Sequence, residues 1–200
     1  MTHRRILSFA FSLTTLSVFA LTPGHPAPDF KGTDSNGVHH TLSQYRGKYV
    51  VLEWANKGCP YDQKHYLSGN MELLQREWTA KGVVWLSVLS SAPGEQGNVT
   101  PAEENEYLKK MKAAPTAALL DPDGTIGRMY QAKTTPHIFV IDPQGTLIYQ
   151  GAIDDKPTTD QADIKTARNY LNEALGAAMA GKSVPVATTR PYGCSVKYKD

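Results

Sequence analysis

The 200-residue chain is long enough for one domain with a sizeable core, and its 40% hydrophobic and 20% charged residues are those of a soluble globular protein. Its formal net charge of +2 comes from Arg4 and Arg5, and the residues after position 20 balance at 19 basic against 19 acidic. That balance excludes a broad electrostatic surface for nucleic acid.

Thr2-His3-Arg4-Arg5 is a short basic start. Ile6 to Leu21 is apolar except for Ser and Thr, and Val18-Phe19-Ala20 offers small residues at the two positions a signal peptidase reads. Residues 1–20 therefore read as a signal peptide cleaved after Ala20, and the run is short for a full membrane span. This predicts a periplasmic or secreted protein with no stable membrane association after cleavage. Residues 22–180 are expected to form one domain, and residues 181–200 a polar C-terminal tail whose flexibility would let Cys194 approach and withdraw.

Lys31 to Thr41 reads as a hairpin around Asp34-Ser35-Asn36-Gly37. Lys48 to Ala55 and Val83 to Leu89 are apolar runs of the buried-strand type. Pro60 suits the first turn of a helix running to about Ala80, broken at Ser68-Gly69-Asn70, with Leu73, Leu74 and Trp78 on its buried face. Thr100-Pro101-Ala102-Glu103 has a helix cap, a first-turn Pro and a Glu three residues after the cap, and that helix ends near Met111. Thr116 to Leu120 is a third strand, Ile126 to Tyr130 a short helix, and 137–142 with 146–150 a second hairpin. Ala162 to Met179 reads as one amphipathic helix with Ile164, Ala167, Leu171, Ala174, Leu175 and Ala178 on one side. Strands alternating with helices, then a hairpin and a last helix, predict an α/β fold with a mixed sheet covered on both faces.

The chain has two cysteines, Cys59 and Cys194. One pair is too few for a disulfide scaffold, and an oxidising compartment permits a bond between them. Cys59 lies where a buried strand gives way to a helix, and unpaired N–H groups at a helix start stabilise a thiolate. Lys57, Lys64 and His65 are near in sequence and would assist, whereas a carboxylate at Asp62 would oppose. Three roles stand open for Cys194: resolving an oxidised Cys59, pinning the tail by a permanent disulfide, or remaining a free thiol. Closing so long a loop would restrict the unfolded chain by about 5 kcal/mol. The six histidines show no metal-ligand spacing, so no metal and no cofactor are expected.

Four stretches together resemble the thioredoxin superfamily in its peroxiredoxin-like, or redoxin, branch. They are Gly24 to Phe30, Leu42 to Leu52, the turn Glu53 to Pro60, and Thr135-Pro136 before Phe139-Val140-Ile141-Asp142. The end Gly193-Cys194-Ser195-Val196-Lys197-Tyr198 is similar to that of a peroxiredoxin-like subgroup. The resemblance implies a thioredoxin-like fold, Cys59 and Cys194 as the reacting pair, and Asn56, Gly58, Pro60, Thr135 and Pro136 as active-site support. It also implies that Thr135-Pro136 is a cis-proline loop beside the cysteine, where the Thr135 backbone pairs with a thiol partner.

The chain departs from the pattern at named positions. Asp62 stands where a thioredoxin has its second cysteine, so dithiol exchange within the turn is impossible. Leu52 and Asn56 replace the Pro and Thr of the peroxiredoxin turn, and Pro136 stands where an Arg is expected. The expected activity is an exported thiol-dependent oxidoreductase, antioxidant in class, in which Cys59 attacks a peroxide or a protein disulfide. Cys194 or an external thiol of thioredoxin type completes the cycle, and a bond between two copies leaves a homodimer open. The other reading is a non-catalytic binding or chaperone-like module with a structural Cys59–Cys194 disulfide.

Overall fold

The structure, a computed structural model, describes residues 21–199, so the signal-peptide reading of residues 1–20 lies outside the described residues. The first strands, β1 (Lys31–Asp34) and β2 (His39–Thr41), form the expected hairpin. They are followed by β3 (Val50–Trp54), α1 (Pro60–Leu67), α2 (Asn70–Ala80), β4 (Val84–Leu89), α3 (Pro101–Met111), β5 (Ala117–Leu120) and α4 (Thr125–Met129). The chain then runs through the two-residue β6 (Thr134–Thr135), β7 (His137–Ile141), β8 (Leu147–Gly151), α5 (Tyr170–Met179) and the two-residue β9 (Cys194–Ser195). Seven strands make one mixed sheet in the order β2-β1-β5-β4-β3-β7-β8, with β3, β4 and β5 parallel, and β6 and β9 pair separately.

Successive side chains of a strand point to opposite faces. Here both faces are buried, which explains why β3, β4 and β7 read as continuous apolar runs. Leu52, Trp54, Leu86 and Phe139 pack on one face with Phe30 and Tyr130, and Val51, Trp85, Ile138 and Val140 pack on the other with helix residues such as Trp78 and Leu171. Glu53 interrupts β3 as a buried acid, accepting from Tyr66 Oη (2.8 Å), Gln75 Nε2 (3.2 Å), Trp85 Nε1 (2.7 Å) and Ser87 Oγ (3.0 Å). Four donors replace the hydrogen bonds lost with water.

The helix readings divide. Thr100 and Glu103 form the expected reciprocal cap of α3. On α2 the buried positions are Met71, Glu72, Leu74, Gln75 and Trp78, whereas Leu73 is exposed. The inward stripe runs at i, i+3, i+4 and i+7, and Leu73 falls outside it. The single helix expected from Ala162 to Met179 is two pieces: a 3-10 segment over Gln161–Thr166 and then α5. Ala167 and Asn169 are extended between them, and the Asn169 side chain accepts from Asn172 N–H at 2.8 Å, starting a new helix. Ile164 and Ala167 are therefore not on the α5 face. Among the described residues no helix is long and apolar enough to cross a membrane.

The C-terminal segment is not a loose tail. Val196 is buried in the core cluster that holds Trp54, Tyr130 and Phe139, Val196 N–H donates to Lys133 O at 3.0 Å, and Ala92 N–H donates to Lys197 O at 2.8 Å. A packed apolar side chain and paired backbone hold it where composition alone suggested mobility.

Candidate active site

β3 delivers the chain to a tight loop, Asn56-Lys57-Gly58, from which α1 starts with Cys59 as its N-cap and Pro60 at its first position. The loop is built on the Asn56 amide. Its Oδ1 accepts from Gly58 N–H at 2.8 Å and its Nδ2 donates to Gln96 O at 3.2 Å. Gln96 Nε2 returns a bond to Gly58 O at 3.0 Å. Gly58 is needed for this approach, because a Cβ there would lie 2.8 Å from Gln96 Cγ. Both ends of the Asn56 amide are thereby committed to the loop.

Cys59 is 0% exposed. Its thiol donates to Thr135 O at 3.0 Å, and the Thr135–Pro136 peptide bond is cis, as the resemblance implies. Cys194 meets the same point from the other side. β6 and β9 pair antiparallel with Thr135 opposite Cys194 and Thr134 opposite Ser195. The pairing requires glycine at 193: it has φ +138°, and a Cβ there would stand 2.1 Å from Thr135 O. Both cysteines are free thiols, Cys59 buried and Cys194 partly exposed.

Burial pushes the Cys59 thiol up, but hydrogen bonds from Cys194, the Thr135 hydroxyl and the Asp62 N–H outweigh it, and the net shift is downward. The Thr135 hydroxyl is buried with no other partner, which leaves it available to the sulfur. Cys194 is pushed up to about 12 by desolvation and by the neighbouring Cys59.

Asp62 does not assist the thiolate, since the two groups disfavour each other's ionisation. Burial first, then the charges of Glu53 and Cys59, hold its carboxyl well above the usual carboxylate range. Its Oδ2 accepts from Asn56 N–H, and its Oδ1 has no partner. Lys64 and His65 do not assist either. Lys64 Nζ donates to Lys156 O at 2.7 Å, and the buried His65 is held near pKa 4 by desolvation, hence neutral. Among the described residues no group of three or more His, Cys, Asp or Glu could hold a metal ion.

Sequence reasoning missed Gln96, Asp154 and Tyr192. Asp154 lies between Lys64 and Tyr192, with its Oδ2 3.6 Å from Lys64 Nζ, and Tyr192 Oη donates to its Oδ1. No local pattern marks these residues, since each is brought to the site by contacts distant in sequence. The one local hint was a glycine directly before Cys194.

The fold is shared with solved structures. A hypothetical protein from Sinorhizobium meliloti 1021 superposes with TM-score 0.74 at 20% identity, covering 90% of this chain and 97% of that one. An uncharacterized conserved protein from Geobacillus kaustophilus gives TM-score 0.74 at 22% identity over 90% and 94%. A protein described as the thiol:disulfide interchange protein DsbE from Chlorobium tepidum gives TM-score 0.54 at 25% identity over 66% and 85%. No curated protein matches the chain. The AhpC/TSA family pattern matches residues 23–150, the span from the first strand's approach through β8, and the chain therefore belongs to the AhpC/TSA family, a redoxin branch of the thioredoxin superfamily.

Proposed function

We propose that the protein is an exported thiol-dependent oxidoreductase of the peroxiredoxin-like type, with Cys59 as nucleophile and Cys194 as resolving thiol. The observation that supports this most is the β6–β9 register, which holds Cys194 opposite Thr135 while Thr135 O accepts the Cys59 thiol. A Cys59 thiolate attacks one peroxide oxygen and breaks the O–O bond. The sulfur becomes a sulfenic acid, and the other oxygen leaves as hydroxide, or as alkoxide from an alkyl peroxide. The Cys194 sulfur then displaces the sulfenic oxygen as water, forming the Cys59–Cys194 disulfide. An external dithiol attacks that bond, is itself oxidised to a disulfide and returns both cysteines to thiols.

Complete burial of Cys59 favours a small oxidant over a folded protein disulfide at this sulfur. A disulfide partner would have to lift β9 first. Cys194 is the more accessible sulfur and so faces the external thiol. In this reading Asn56, Gly58 and Pro60 shape the loop and helix start, and Thr135 and Pro136 place the carbonyl and hydroxyl beside the sulfur. Residues 1–20 serve for export, and residues 181–200 complete the site.

The second reading, a non-catalytic module stapled by a Cys59–Cys194 disulfide, draws on one observation. The Asn56 amide that would orient a peroxide is bonded at both ends within the loop. The two readings part when reduced protein is mixed with hydrogen peroxide in the presence of a dimedone-type probe. The enzyme reading expects Cys59 to be trapped as sulfenic acid faster than an unfolded thiol, with the adduct accumulating in Cys194→Ser and absent in Cys59→Ser. Labelling no faster than that of an unfolded thiol sinks it.

A further inference from the structure

A chain of polar groups outside the two cysteines ties the C-terminal segment to α1. Asn70 Nδ2 donates to His65 Nδ1 at 2.8 Å, which places the imidazole proton on Nε2. That N–H faces Tyr192 Oη at 3.3 Å. Tyr192 Oη donates in turn to Asp154 Oδ1. Asp154 is itself fixed: its Oδ1 also accepts from Lys156 N–H at 2.9 Å, and its Oδ2 lies 3.6 Å from the buried Lys64 Nζ. Burial and the neighbouring Asp154 push the Tyr192 phenol upward, so it stays protonated and keeps donating.

Tyr192 is two residues before Cys194. The Tyr192 ring packs against the helix-side core cluster, and the stretch leading to β9 also borders open space. A cavity of about 610 Å³ opens beside it, lined by Tyr61, Thr134, Asp154, Tyr192 and Gly193 among others. Packing seats the ring, and the Tyr192 hydroxyl adds a polar tether toward Asp154. Beyond it only two residue pairs join β9 to β6. A charge-assisted hydrogen bond to a buried carboxylate adds a tether on the near side of Cys194.

We propose that Tyr192, anchored on Asp154 and through it on α1, is the positioning residue that holds Cys194 in register for bond formation with Cys59. This rests on the reading of Cys194 as resolving thiol. The same helix carries Cys59 at its N-cap and Lys64 and His65 along its length, so nucleophile and resolving strand are referenced to one rigid element. Losing the phenol hydroxyl leaves the ring and its neighbours, Tyr61 at 5.9 Å between centroids and Lys64 at 5.5 Å, in place. What is lost is the polar tether just before Cys194, while the β6–β9 pairing and Val196 remain.

The test uses Tyr192→Phe and Asp154→Asn in the full protein, with Cys194→Ser for reference. Rapid mixing with hydrogen peroxide separates Cys59 oxidation from disulfide closure, followed as sulfenic acid trapped and as thiols lost. Tyr192→Phe should leave Cys59 oxidation within about twofold of wild type and slow closure by about tenfold, the effect of losing one such bond. Tyr192→Phe combined with Asp154→Asn should slow closure no more than Asp154→Asn alone. Closure at the wild-type rate in Tyr192→Phe, while Cys194→Ser abolishes it, overturns the proposal and leaves the enzyme reading intact. Amide hydrogen exchange reports on the tether independently of the thiol chemistry. Val196 N–H, bonded to Lys133 O, should exchange about tenfold faster in Tyr192→Phe with β3 and β4 unchanged, and unchanged exchange at Val196 also overturns the proposal.

Discussion

Cys59 and Cys194 share one hydrogen-bonded site, yet their surroundings move their ionisation in opposite directions. Cys59 is desolvated but receives donors from Cys194, Thr135 and the first turn of α1, and the donors prevail. Cys194 is desolvated too, and it gives its proton toward Cys59, so its thiol is pushed up to about 12. Ionising one sulfur therefore makes the other harder to ionise, and the pair should lose its protons in two well-separated steps. Alkylation of reduced protein by iodoacetamide as a function of pH reads this directly. Cys59 should label with the lower midpoint of the two, and Cys194 should label slowly until far above the ordinary thiol value. Equal midpoints, or the reverse order, would refute the assignment of nucleophile and resolving thiol. The lowered Cys59 value favours the fold above the ordinary thiol value, and that contribution fades as pH falls through the folded value. For Cys194 the sign is opposite: its contribution is whole below the ordinary value and is lost as pH rises toward 12.

At the scale of elements, the smallest strands matter most to the site. β6 and β9 are two residues each, and Gly193 sets how closely they approach. Gly193→Ala places a methyl group 2.1 Å from Thr135 O and asks a side chain to adopt φ +138°. Backbone strain of this kind costs about 1–3 kcal/mol, so the strand lifts rather than the sheet breaking. The expected result is cooperative unfolding close to wild type, with disulfide closure at least about tenfold slower. A variant that closes at the wild-type rate would show that the β6–β9 pairing does not place Cys194. The same scale explains the two helix corrections. Leu73 is apolar but one step off the inward stripe of α2, and the stretch before α5 is broken by extended residues and an Asn169 cap. Apolar residues at nearly helical spacing do not distinguish one helix from a 3-10 turn followed by another, because the cap that separates them acts through a single side chain.

For the whole molecule, the C-terminal segment decides which sulfur faces outward. In the proposed disulfide the partly exposed Cys194 would lie outward of the buried Cys59. The more acidic thiol is also the better leaving group, so an external thiolate should attack Cys194 and release Cys59. Acid-quenched mixtures of oxidised protein with a small monothiol should therefore contain the mixed disulfide on Cys194, by peptide mapping, with Cys59 free. Adducts found chiefly on Cys59 would contradict this.

What the amino-acid sequence determined by itself was whatever local physics writes locally. The buried apolar runs became β3, β4 and β7, Pro60 opened α1, Thr100 and Glu103 capped α3, and the stretches before and around Cys59 disclosed the redoxin family. Propensity, capping and the two-residue period act between near neighbours, so they are legible there. Tertiary structure alone decided the rest. Cys194 reaches Cys59 across 135 positions because Val196 finds a place in the core and Gly193 fits against Thr135. Asp62 is an acid whose ionisation is disfavoured, because Glu53 and a dry interior surround it. Lys64 and His65 serve Asp154 and Tyr192 instead of the thiol. Each of these depends on desolvation and on partners brought together by folding, and neither quantity is a property of neighbouring residues in a chain.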